Sequence, residues 1–118
     1  MSTLEQGRIV WAELPSSDGT QMKRRPAVVV TPTIELAPGA PFMVVAATTK
    51  FTEPLPSDHV LLPWHSAGKV RTQLRQPTAV VCTWLFAIQE TDIHKFGGVV
   101  PPKVMLEIEK VLKRKETA

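Results

Sequence analysis

One cysteine, three scattered histidines and no long apolar run set the first limits on this 118-residue chain. Cys82 has no second thiol to join, so an internal disulfide is excluded, and the histidines show no spacing from which a zinc site could be assembled. No metal or other cofactor is expected. No stretch of apolar residues approaches the ~20 that span a bilayer, so no membrane partner is expected. The opening MSTLEQGRIVW lacks the basic, apolar and small-residue segments of an export signal, which makes the cytoplasm the expected location. Internal repeats and long linkers are also missing, and the chain is the size of one domain, taken as residues 1–118.

Charge and proline are plentiful. The net charge is +3, and most of the excess lies in two clusters: Lys23, Arg24 and Arg25, and then Lys110, Lys113, Arg114 and Lys115. The second cluster suits the negative end of a terminal helix dipole, whereas the first suits a polyanion. Eleven prolines punctuate short β-branched runs at residues 9–14 (IVWAEL), 27–31 (AVVVT), 42–49 (FMVVAATT), 60–62, 78–88 (TAVVCTWLFAI) and 96–100 (FGGVV). Residues 15–26 between the first two runs, and 64–76 between the fourth and fifth, read as loops.

The apolar period changes only near the end of the chain. Pro101 and Pro102 suit a first helical turn, and Val104, Ile108, Val111 and Leu112 then recur at helical spacing. Glu109 and Lys113 stand four apart, a favourable pair on the expected outer face. Short strands, irregular connections and one terminal helix predict a mostly β fold, a small SH3-like barrel with a C-terminal α-helix. No helix separates the strands, which argues against βαβ units.

Several local motifs then appear in a telling order: Gly7-Arg8-Ile9-Val10-Trp11 in the first strand, Gly19-Thr20-Gln21 in the loop, Arg25-Pro26-Ala27-Val28-Val29-Val30 in the second strand and Ala46-Ala47-Thr48-Thr49 in the third. With Ile88 and residues 93–97, this order resembles the MazF/PemK toxins of type II toxin–antitoxin pairs over nearly the whole chain. The resemblance implies a homodimeric barrel that cleaves single-stranded RNA without metal and is restrained by a cognate antitoxin, whose tail covers the RNA groove. An alternative is a catalytically weak module of the same fold that binds RNA, DNA or an antitoxin-like peptide without cutting.

Such cleavage uses the 2′-hydroxyl of the RNA as nucleophile, so the enzyme must move two protons and stabilise charge on phosphorus. A guanidinium serves the last need because it stays charged and donates parallel hydrogen bonds to phosphate oxygens. Arg25 is the catalytic candidate, its backbone restricted to extended conformations by Pro26. Thr49 is the second; Thr48 competes with it, because alternation along a strand turns only one of the two inward. Gly19, Thr20, Gln21, Lys23, Arg24, Thr48, Thr83 and Trp84 complete the expected RNA-binding set. Thr83, Trp84 and Phe86 stand where the family carries an acid, a glutamine and an arginine, so the usual carboxylate is missing; His59 and His65 are alternative replacement bases. Trp11 and Cys82 are expected in the core, and Trp64 is open between packing and base stacking.

Overall fold

A computed structural model describes residues 4–16 and 19–117, with side chains as far as residue 114. Met1–Thr3 of the opening segment, Ser17 and Asp18 of the first loop, and the side chain of Lys115 lie outside the described residues. Six strands follow in order: β1 (Arg8–Pro15), β2 (Met22–Val29), β3 (Phe42–Thr48), β4 (His59–Leu62), β5 (Thr78–Ile88) and β6 (Ile93–Val99). The helix α1 (Pro102–Thr117) closes the chain. The strands form one antiparallel sheet in the order β4-β5-β3-β2-β1-β6.

Both faces of the sheet are covered, which is why its strands read as unbroken apolar runs rather than alternating ones. Ile9, Val28, Val45, Val60, Leu62 and Val80 pack on one face against Met105, Ile108 and Val111 of α1. Val10, Ala12, Leu14, Ala27, Val29, Val44 and Ala46 pack on the other with Phe42 and Ile88. The helix buries Ile108 and Val111 as the spacing predicts, with Val104 and Leu112 partly buried beside them. Glu109 departs from the expectation: it is half-buried and its Oε1 accepts a 3.2 Å hydrogen bond from Gln6 Nε2, tying the first residues of the chain to the helix.

Two stretches read as loops are partly ordered by backbone pairing. β2 begins five residues earlier than its apolar run, because residues 22–25 pair with β1 although three of them are charged. There Glu13 lies directly opposite Arg24, a favourable cross-strand combination of charges. The second stretch, after β4, becomes a strap between the two edges of the sheet. His65 N donates to Leu74 O (2.9 Å) and Thr72 Oγ1 to Pro63 O (2.6 Å) on the β4 side. On the β6 side, Val99 N donates to Arg71 O (2.9 Å) and Gly98 N to Thr72 O (3.3 Å). Backbone contact this close requires glycine at position 98, where an added Cβ would stand 2.0 Å from Arg71 O.

A basic groove at the open end of the sheet

Pro26 determines where the groove starts. It lacks an N–H, and the β2–β3 ladder runs only from Val29↔Val44 to Ala27↔Ala46 before the strands part. Beyond that point lies a groove of about 470 Å³, lined on one side by Trp11, residues 23–26, Lys95 and Gly97, and on the other by residues 47–50, 72–76 and Thr78. Lys23, Arg24, Arg25, Lys50, Arg75 and Lys95 all reach it, and among the described residues no carboxylate or histidine does. Six cations around one concavity, with no counter-ion in its wall among the described residues, give it a charge suited to an anion.

Arg25 is the most constrained of these cations. Its Nε donates to Leu14 O at 3.4 Å, and the guanidinium carbon lies 5.0 Å from the ring centroid of Trp84. Among the described residues it forms no ion pair, and its Nη atoms make no hydrogen bond. Its charge is therefore oriented but not neutralised. Arg24 instead approaches His94, with 3.3 Å between Nη2 and Nδ1.

The two threonines correct the expectation that only one could face the groove. β3 ends at Thr48, so strand alternation does not govern Thr49, and both line the concavity. They differ in what their hydroxyls are free to do. Thr48 Oγ1 donates to Lys50 O (3.2 Å) and accepts from Lys50 N (3.0 Å), which shapes the turn. Thr49 is exposed and its hydroxyl makes no hydrogen bond among the described residues.

The structure therefore gathers Lys23, Arg24, Arg25, Thr48 and Thr49 at the groove and places five other expected RNA contacts elsewhere. Gly19, Thr20 and Gln21 are exposed in the β1–β2 connection, where Ser16 N donates to Gln21 O at 2.7 Å. Trp84 does not line the groove and is half-buried against Arg25. Thr83 is exposed and turned away, its Oγ1 donating to Asp58 Oδ2 at 3.0 Å. A carboxylate thus stands beside β5 after all, supplied from before β4. Asp58 Oδ1 also lies 2.8 Å from His59 Nδ1. Burial alone would raise the Asp58 carboxyl, but the hydrogen bonds from His59 and Thr83, with the attraction of His59, outweigh it and hold the group below its ordinary value.

Neither candidate base lies in the groove wall: His59 is bound to Asp58, and His65 Nδ1 accepts from Ala67 N at 3.0 Å. Trp11, expected in the core, is half-buried and lines the groove, whereas Cys82 is buried as expected. Trp64 is exposed. Lys50, Gln73, Arg75, Gln76, Thr78 and Lys95 were not expected there. The strap carries three of them, and the only sign of it in the sequence is the density of arginine and glutamine in residues 71–76. Among the described residues no group of three or more His, Cys, Asp or Glu could hold a metal ion, and no helix is long and apolar enough to cross a membrane.

Comparison with known proteins agrees with this architecture. The chain aligns over its full length with MazF from Deinococcus radiodurans, at a TM-score of 0.73 and 17% identity, covering 100% of each chain. An endoribonuclease from a mycobacterial species superposes at a TM-score of 0.72 and 16% identity, over 99% of this chain and 94% of that one. A mycobacterial endoribonuclease in complex with its cognate antitoxin gives 0.70 and 17%, over 99% and 96%. No curated protein matches the sequence. At such low identity these likenesses establish the fold, but the sequence profile of the PemK-like, MazF-like toxins matches residues 5–115 directly. The chain belongs to the PemK-like, MazF-like family of toxins of type II toxin–antitoxin systems.

Proposed function

We propose that this toxin is an endoribonuclease that binds single-stranded RNA along the basic groove and cleaves it by attack of the 2′-hydroxyl on the adjacent phosphorus. The observation that carries this reading is the groove itself: six cations, adjacent threonines and, among the described residues, no carboxylate in the wall. In the reaction the 2′-oxygen–phosphorus bond forms and the phosphorus–O5′ bond breaks. The proton lost from the 2′-hydroxyl and the proton gained by the leaving oxygen balance, and the products are a 2′,3′-cyclic phosphate and a 5′-hydroxyl. Arg25 donates from its free Nη atoms to the phosphate oxygens as charge builds on them. The unoccupied hydroxyl of Thr49 donates to the same phosphate. Gln73 and Gln76, with donors and acceptors on one side chain, suit contacts to base edges.

With no histidine or carboxylate in the wall among the described residues, solvent hydroxide accepts the 2′-hydroxyl proton and water returns one to the leaving oxygen. Activity then rises with pH through the neutral range instead of following a bell. A cognate antitoxin with an acidic segment matches the same charge, and it inhibits by occupying the groove; the toxin itself acts as a homodimer. Expression in bacteria tests the reading: the wild type arrests growth with loss of intact RNA, and Arg25→Ala does not. Equal growth and intact RNA in both cultures would remove its support. The missing base also favours a second reading, RNA binding without cleavage, which predicts salt-sensitive binding and no cyclic phosphate.

A further inference from the structure

We infer that Trp84 is the positioning residue for Arg25, holding the guanidinium so that its Nη edge faces a phosphate in the groove. The inference rests on the phosphate-binding role proposed above for Arg25 and adds the residue through which that role is set. It begins with a break in the sheet. The β3–β5 ladder runs from Phe42↔Ile88 to Val45↔Leu85 and resumes only at Ala47↔Val80, leaving residues 81–84 of β5 without a β3 partner. Irregularities of this kind re-aim side chains, and this one brings the Trp84 ring against the guanidinium of Arg25.

The contact fixes the arginine on two sides. The guanidinium carbon lies over the indole ring, 5.0 Å from its centroid, and Nε is tied to Leu14 O. The Nη atoms are what remain. Phe86 backs the indole, with ring centroids 6.3 Å apart and planes inclined at 60°. A carboxylate could also have oriented Arg25, but it would have competed with phosphate for the same donors. An aromatic face orients the cation and leaves both its donors and its charge available.

The choice of indole over phenyl points the same way. Trp84 Nε1 is buried and has no hydrogen-bond partner, a disadvantage that a phenylalanine at this position would avoid. What tryptophan adds in exchange is the stronger attraction of its ring face for a cation.

The test uses Trp84→Leu and Trp84→Phe, each made alone and together with Arg25→Ala, in the full chain. The Arg25 Nε–Hε resonance, assigned by its loss in Arg25→Ala, should carry a ring-current shift that disappears in Trp84→Leu. Turnover on a single-stranded RNA oligonucleotide in EDTA should fall about 2- to 30-fold in Trp84→Leu and recover in part in Trp84→Phe. In the Arg25→Ala background the same substitution should change turnover little, because its effect passes through the arginine. Equal losses in both backgrounds would identify Trp84 as a packing residue only and overturn the inference. If Trp84→Leu fails to fold, Trp84→Phe with and without Arg25→Ala supplies the same comparison. A wild-type chain that leaves RNA intact would defeat the proposed function, while the Nε–Hε resonance would still decide the positioning: absence of a ring-current shift there overturns it.

Discussion

At the scale of single residues, Arg25 and Thr49 matter because of what does not bind them. The guanidinium is held by an aromatic face and one backbone carbonyl, and the hydroxyl is exposed without a partner, so both are prepared for a ligand. Replacing Arg25 with alanine should lower RNA cleavage by about 100-fold or more, the usual consequence of removing a donor from developing anionic charge. Lysine should restore little, since an ammonium lacks the planar fork that donates in parallel; steady-state rates on one oligonucleotide decide between these outcomes. Asp58 makes a separate prediction about stability. Its carboxyl is held below its ordinary value of 3.8, so its ionised form favours the fold above that pH and loses its advantage as the pH falls through the lowered value. Asp58→Asn should accordingly be less stable than the wild type at neutral pH, and urea midpoints of the two should converge below about pH 3.8.

At the scale of elements, the strap of residues 64–76 does two jobs. It joins the β4 and β6 edges and presents the Gln73–Gln76 region to the groove. Gly98 is the point of closest approach, and Gly98→Ala should cost about 2 kcal/mol or more, read as a fall in Tm of about 10 °C. Gly97→Ala, whose Cβ would come no closer than 3.3 Å to Ile9, is the control and should cost less. The same strap shows where sequence reading loses resolution. The six apolar strand runs and the helix were legible because burial writes itself into β-branched runs and helical spacing. The strap and the first half of β2 are held by backbone hydrogen bonds beneath polar side chains, and such bonds leave no pattern in composition. Thr83–Asp58 and Arg25–Trp84 were equally hidden, since each joins residues far apart in the chain. The arginine–proline pair was legible because Pro26 both restrains Arg25 and ends the β2–β3 ladder.

At the scale of the whole molecule, the two-faced sheet concentrates apolar residues inside and leaves one basic concavity at its end. Its affinity for single-stranded RNA should fall with salt along a log–log slope no steeper than about −4, the limit if all six groove cations meet phosphates at about 0.7 each. Titrations by fluorescence anisotropy across salt concentrations measure that slope, and replacing Arg75 by alanine should make it shallower by about 0.7 if the strap contacts the RNA backbone.

Family membership and groove chemistry meet in the claim that this concavity cleaves RNA through Arg25. The most direct measurement is product analysis after incubating a defined single-stranded RNA with the purified chain in EDTA. The wild type should yield fragments ending in 2′,3′-cyclic phosphate and beginning with 5′-hydroxyl, and Arg25→Ala, folded to the same Tm, should yield almost none. Intact RNA with the wild type, or equal cleavage by both proteins, would contradict the account.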